Sequence, residues 1–204
     1  MTKIKICGLK RQEDISYVNK YLPDYVGFVF AESRRQIDDA GARALKELLD
    51  RRIRAVGVFV NEPVEHIVKL CGEKVIDLVQ LHGEEDEAYI LKLKSLIPND
   101  IIKAVRVRQA GQIEAMQELP CNHLLFDTYS DKQYGGSGRS FDRRLIPKHC
   151  KPFFLAGGLK AENITAAIKD CNPYCVDVSS GAETEGRKDE NKIKEIIDIV
   201  RRVK

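Results

Sequence analysis

Tryptophan is absent from the 204 residues, and methionine occurs only twice. The missing patterns exclude more than the missing residues do. No apolar run approaches the ~20 residues that a membrane helix needs. The stretch Met1–Gly8 has no apolar core of signal-peptide length. A cytoplasmic protein with no membrane contact is therefore expected. No block of Lys or Arg stands out, and the net charge is only +3. That balance argues against a chain that rests on nucleic-acid phosphates. The six cysteines are Cys7, Cys71, Cys121, Cys150, Cys171 and Cys175. They form no C-x-x-C pair and have no histidine at finger spacing, so no structural zinc site is expected. In a reducing compartment they read as free thiols, most of them small buried hydrophobes. The G-x-G-x-x-G fingerprint, the P-loop, linkers and low-complexity tracts are all missing.

What is present is a soluble globular composition, with 43% hydrophobic and 32% charged residues. Short apolar, β-branched runs follow one another at Ile4–Leu9, Tyr25–Phe30, Arg54–Val60, Leu78–Gly83, Ile101–Val107, His123–Thr128, Pro152–Gly158 and Cys175–Gly181. Their starts recur every 21 to 29 residues. Several are apolar at consecutive positions, as in Phe153-Phe154-Leu155-Ala156, which marks strands buried on both faces and hence parallel. Helical spacing fills the gaps at Asp14–Tyr21, Asp38–Arg52, Glu62–Cys71, Asp86–Ile97, Gln109–Glu118, Phe141–Ile146, Glu162–Asp170 and Asp189–Val203. Eight such units predict an α/β chain folded as a single-domain (β/α)8 barrel, compact and with short loops. An open doubly wound sheet is the competing architecture; it usually has fewer strands and a glycine fingerprint in its first loop.

A barrel carries its site at the carboxyl ends of the strands. Those ends hold Cys7-Gly8, Ser33-Arg34-Arg35, Gln80-Leu81-His82-Gly83, Asp127-Thr128, Gly157-Gly158 and Asp177-Val178-Ser179-Ser180-Gly181. Small residues after strands 7 and 8 suit a phosphate, because glycine lets backbone N–H groups approach an anion. The plainer reading is a pair of tight turns. Cys7 and Asp127 would face each other across the mouth as an acid–base pair; alternatively they are a core thiol and a structural acceptor. Arg34 and Arg35 suit a carboxylate or phosphate clamp, or simply a solvated loop. A lone histidine such as His82 is more often a structural hydrogen-bonder than a catalyst. Gly135-Gly136-Ser137-Gly138 reads as a lid or as a plain connection.

These motifs, in this order, resemble a known family. Lys5-Ile6-Cys7-Gly8-Leu9, Gly27-Phe28-Val29-Phe30, Val56-Gly57-Val58-Phe59-Val60-Asn61 and Val79-Gln80-Leu81-His82-Gly83 open the match. Phe126-Asp127-Thr128, Gly135-Gly136-Ser137-Gly138, Leu155-Ala156-Gly157-Gly158-Leu159 with Glu162-Asn163, and Val176-Asp177-Val178-Ser179-Ser180-Gly181 complete it. From Lys5 to about Asp189 the chain is similar to the phosphoribosylanthranilate isomerases, (β/α)8 enzymes of tryptophan biosynthesis. The resemblance implies an Amadori rearrangement of N-(5-phosphoribosyl)anthranilate, an aminoaldose, to the aminoketose. It implies Asp127 as general acid and Cys7 as general base, with no metal or redox cofactor. It further implies Arg35 on the anthranilate carboxylate, Asp177 nearby, and Gly157, Gly158, Ser180 and Gly181 on the phosphate. His82 joins Arg35 and Asp177 as a substrate-binding candidate. The only expected partners are a phosphosugar substrate and at most a second copy of the chain, as monomer or homodimer. The chemistry calls for an Asp127 raised by burial and a Cys7 lowered by positive potential or helix dipoles.

The chain departs from the family at Lys10 (often Thr), Arg34 (often Pro), Arg143 (usually Trp) and Ala182 (usually Val). None of these removes a proposed catalytic group. The rival enzyme is the barrel isomerase of histidine biosynthesis, which resembles this family but carries Asp at the Cys7 position. It acts on a substrate with two phosphates, whereas Asn61-Glu62-Pro63 and Gly83-Glu84-Glu85 here are acidic. A non-catalytic phospholigand-binding barrel is the reading from another class.

Overall fold

Two-sided apolar strands need cover on both faces, and helices joined by short crossovers supply it. The computed structural model describes residues 1–107, 116–128, 146 and 150–203. Eight parallel strands close into a barrel in chain order. They are β1 (Lys3–Cys7), β2 (Tyr25–Val29), β3 (Arg54–Phe59), β4 (Leu78–Leu81), β5 (Asp100–Val107), β6 (His123–Thr128), β7 (Phe153–Leu155) and β8 (Cys175–Val178). Among the described residues the helices are α1 (Gln12–Tyr21), α2 (Asp39–Leu48), α3 (Val64–Gly72), α4 (Glu87–Leu96), α5 (Ala161–Cys171) and α6 (Glu190–Arg202). None is long and apolar enough to cross a membrane. The helices expected at Gln109–Glu118 and Phe141–Ile146, the glycine-rich segment 135–138 and Arg143 lie wholly or largely outside the described residues.

Closure runs through β8 and β1, with Lys3 opposite Cys175 and Lys5 opposite Asp177. Period-2 alternation then separates two cores. Outward residues meet the helices: Ile193, Ile196, Ile197 and Val200 of α6 are fully buried in this layer. Inward residues fill the barrel, with Tyr25, Val56, Leu78, Ile102, Leu125 and Phe154 forming its apolar plug. Each such side chain contributes roughly 1.5–3 kcal/mol by leaving water. Above the plug the inward positions turn polar, and the site lies there.

Several strands end earlier than the apolar runs do. Gly157 and Gly158 have φ of +86° and +63°, a left-handed backbone that ends β7 at Leu155. Helix α2 starts where expected, because Asp38 caps it by accepting from the Gly41 N–H. It stops before Arg52, since Leu49 is already extended. After β8 comes a 3-10 turn at Ser180–Ala182 and a small hairpin that the sequence reading did not anticipate, β9 (Glu183–Thr184) with β10 (Arg187–Lys188). Its turn residues Glu185 and Gly186 both have positive φ, 51° and 77°, the geometry that suits two-residue hairpins.

Candidate active site

The carboxyl ends of the strands surround a cavity of about 500 Å³. Cys7, Arg35, His82, Asp127, Gly157, Gly158, Asp177 and Ser180 all line it. Eight of the nine site residues expected from the sequence therefore meet in one space. The ninth, Gly181, sits just behind as a spacer. A Cβ there would come within 2.0 Å of the Leu159 carbonyl oxygen, so only glycine lets the loops after β7 and β8 touch. The Gly157-Gly158 turn is tied to α5 by Asn163, whose Nδ2 donates to the Gly158 carbonyl at 2.9 Å.

Cys7 is the last residue of β1, and its side chain points inward. It packs over Gly27 of β2, where a Cβ would fall 2.6 Å from the sulfur. The bare α-carbon of that neighbour makes room for the thiol. Ser179 Oγ donates to the Cys7 carbonyl at 3.2 Å, fastening this strand end to the loop after β8. The structure corrects one expectation: the thiol is pushed up from its ordinary value, not down. Burial is the largest cause, and the Asp177 carboxylate adds to it. The ammonium groups of Lys5 and Lys188 pull the other way without overcoming it.

Beneath the cavity runs a buried polar chain. Lys5 is fully buried, and its Nζ donates to Asp177 Oδ2 at 2.9 Å and to Gln80 Oε1 at 2.8 Å. Burial alone would discharge Lys5, but the Asp177 carboxylate outweighs it and holds the ammonium above its ordinary value. Gln80 Nε2 lies 2.9 Å from His82 Nδ1. His82 Nε2 in turn lies 3.4 Å from Asp127 Oδ2, a few tenths beyond a formed bond. Asp177 Oδ1 is buried and has no hydrogen-bond partner among the described residues. It is an acceptor left for something that enters the cavity.

Arg35 is held in place before any ligand arrives. Its guanidinium makes a two-point bond to Glu183, with Nε to Oε1 at 2.7 Å and Nη2 to Oε2 at 2.9 Å. Lys188 Nζ adds a third bond to Glu183 Oε1 at 2.7 Å. Burial opposes the Glu183 charge, but the two cations prevail and hold its carboxyl at about 2. The Arg35 side chain lies across Gly8 (φ +85°), where a Cβ would strike Cδ at 2.4 Å. Phe30, Val58 and Val60 give the cavity an apolar wall. Among the described residues no group of three His, Cys, Asp or Glu side chains is placed to hold a metal ion.

The sequence reading passed over Lys5, Gln80, Glu183 and Lys188 as site residues. A signal was present for the first two: a lysine and a glutamine at inward positions of otherwise apolar strands need partners.

The fold and this mouth define a (β/α)8-barrel enzyme with a thiol and a carboxyl in one cavity. The model of the N-(5'-phosphoribosyl)anthranilate isomerase family matches residues 4–199, and the chain belongs to that family. An N-(5'-phosphoribosyl)anthranilate isomerase from Endomicrobium trichonymphae is 55% identical over 201 residues, covering 98% of this chain and 99% of that one. The crystal structure of phosphoribosyl anthranilate isomerase from Thermotoga maritima superposes with a TM-score of 0.87 at 36% identity, over 98% of this chain and 99% of the other. A structure of such an enzyme in complex with reduced 1-(o-carboxyphenylamino)-1-deoxyribulose 5-phosphate has a TM-score of 0.82 at 34% identity, with the same coverage.

Proposed function

We propose that this barrel catalyses the Amadori rearrangement of N-(5'-phosphoribosyl)anthranilate to 1-(2-carboxyphenylamino)-1-deoxyribulose 5-phosphate, with Asp127 as general acid and Cys7 as general base. The observation that carries the reading is the convergence of both groups on one cavity, between a glycine turn and a braced arginine. Asp127 gives its proton to the furanose ring oxygen. The bond from C1 to that oxygen breaks, and the anilino nitrogen lone pair forms the C1=N double bond. The Cys7 thiolate then takes the C2 proton. The C2–H electron pair becomes the C1=C2 bond, and the C=N pair returns to nitrogen, giving a neutral enolamine. A proton added at C1 and one lost from the C2 hydroxyl give the ketone.

The remaining groups follow from their chemistry. Arg35 has N–H donors beyond the two that Glu183 occupies, which suits the anthranilate carboxylate. The apolar wall beside it suits the aromatic ring. Asp177 Oδ1 accepts from a substrate N–H or O–H. Gly157, Gly158 and Ser180 offer backbone and hydroxyl donors to the phosphate, where barrels commonly bind one.

Turnover is followed by the loss of the substrate's anthranilate fluorescence. Wild type converts the substrate, while Cys7→Ser and Asp127→Asn each lose about 10²–10⁴ in kcat. A wild-type protein without turnover overturns the activity. Either variant at full rate overturns the assigned roles and leaves the activity standing.

A further inference from the structure

The apolar wall of the cavity is backed by a charged cluster. Phe30, Gln36 and Glu62 line the cavity, and the same three residues line a second recess behind the wall, together with Asp39 and His66. His66 lies in the first turn of α3. Its Nδ1 is 2.7 Å from Oε1 of Glu62, in the loop after β3, and its Nε2 is 2.8 Å from Oδ1 of Asp39, the first residue of α2. Carboxylates only accept, so both ring nitrogens donate and the ring is an imidazolium. Lys69 Nζ donates to the other Asp39 oxygen at 2.8 Å. The cluster thus sets two cations against two carboxylates and is neutral. Toward the barrel the imidazole meets the rings of Phe30 and Phe59 at near right angles, with centroids 6.1 and 6.3 Å away, and those two rings stack at 5.0 Å. One side chain therefore joins the loop after β3, the start of α2 and the aromatic face of the wall.

We propose that His66 is a positioning residue whose imidazolium ties the loops after β2 and β3 together and holds the aryl wall of the cavity for an anionic substrate. The inference rests on the ring-binding role given to that wall above. Burial opposes the charge on the ring, but the bonds to Asp39 and Glu62 outweigh it and hold His66 above its ordinary 6.5. The imidazolium is thus present near neutral pH and is lost as pH rises through the raised value. A neutral imidazole carries a single N–H, so one carboxylate loses its donor and the cluster gains one net negative charge. Both changes weaken binding. The tie between the two loops is cut, and uncompensated negative charge stands at a mouth that receives a carboxylate and a phosphate. Asp39 on α2, Glu62 before α3 and Lys69 on α3 are the charged groups of this cluster; Phe30 and Phe59, packed on it from the barrel, do not titrate.

The test measures binding rather than rate, so proton removal by Cys7 does not enter. The dissociation constant of reduced 1-(o-carboxyphenylamino)-1-deoxyribulose 5-phosphate is followed from slightly acid to alkaline pH in the full chain and in His66→Gln, with inorganic phosphate as a second probe. The ratio of the two proteins' constants at each pH cancels the titration of the ligand itself. The state of His66 is read separately, by NMR titration of the chain carrying 15N-histidine, assigned through the same variant. The ring is expected to titrate above 6.5. Binding of the analogue weakens about threefold to fivefold across the same step, the scale of a part-exposed ion pair. His66→Gln shows no step and binds the analogue as alkaline wild type does. Its phosphate binding is unchanged, because the glycine turns after β7 and β8 do not touch the cluster. A ring that titrates below 6.5, or a fixed ratio between wild type and variant across the step, overturns the proposal. So does an equal loss of phosphate and analogue in His66→Gln, which marks a general loss of structure. Should the variant not fold, a wild-type binding curve without a step at the NMR midpoint of His66 overturns the proposal on its own. A wild type that binds no analogue at any pH overturns the reading of the cavity itself, and the inference with it.

Discussion

At the scale of single residues, Cys7 and Asp127 were legible because a barrel exposes only strand ends, and a thiol or carboxyl that closes an apolar run must lie there. Glu183 and Lys188 were not, and Lys5 and Gln80 left the signal of a polar residue in an apolar strand but not the identity of their partners, which sequence distance hides. Lys5 meets Asp177 across the closing seam, 172 residues away, and Arg35 meets Glu183 across 148. The surroundings of Cys7 set a pH dependence. Lys5, Lys188, Asp177 and Arg35 are the charged groups that act on it, and burial leaves the thiol above its ordinary value. The rise of kcat/KM with pH is therefore expected on the alkaline side of neutrality, and a rise centred well below neutral pH would contradict it. Glu183 sets a stability dependence of the opposite kind. Its folded value of about 2 lies below the ordinary 4.5. The stabilisation is thus complete above about 4.5 and is lost as pH falls toward 2. Urea midpoints measured across that range should fall steeply in wild type and less so in Glu183→Gln. The same variant frees Arg35, so KM is expected to rise about tenfold with a smaller change in kcat.

At the scale of elements, the periodicity located every strand and most of the helices, but it overran their ends. The overrun is physical. The apolar runs after β7 and β8 continue past the sheet because the loop residues Ala156, Leu159 and Ala182 are themselves buried. Only the backbone conformation of Gly157 and Gly158 marks the exit. The contact of these two loops yields an element-level expectation. Gly181→Ala places a methyl against the backbone at Leu159, which cannot move aside as a side chain would. Inhibition by inorganic phosphate should weaken, and the melting temperature should drop. Unchanged inhibition would remove the glycine pair from the phosphate role. Two of the departures from the family also meet. Lys10 Nζ donates to the Arg34 carbonyl at 2.8 Å, and Arg34 Nη2 approaches Glu183 Oε2 at 3.5 Å. The loop that lacks proline is thus braced by side chains. Helix α6 packs on β1 and on the flanking helices α1 and α5, and Ile196→Ala should cost about 2–5 kcal/mol in a denaturant titration.

At the scale of the molecule, 204 residues form a full eight-strand barrel that more often takes about 250. Among the described residues the connections are short, and the polar groups of the site gather at the carboxyl-end mouth above an apolar plug. The charge is balanced overall yet sorted inside: Lys5 with Asp177, Lys103 with Glu85 at 2.7 Å, and Lys188 with Glu183 are all buried pairs. Removing one partner of such a pair strands the other, at a cost of about 3–5 kcal/mol. This sorting was beyond the reach of composition, which records only the sum. In the proposed reaction two groups divide one rearrangement, with Asp127 opening the ring and Cys7 removing the C2 proton. Single-turnover fluorescence with substrate deuterated at C2 tests that division directly. In Cys7→Ser the proton removal becomes the slow step, and the isotope effect should grow beyond the wild-type value. In Asp127→Asn the ring opening becomes slow, and the effect should collapse toward unity. The reverse pattern, or an isotope effect unchanged in both variants, would contradict the account.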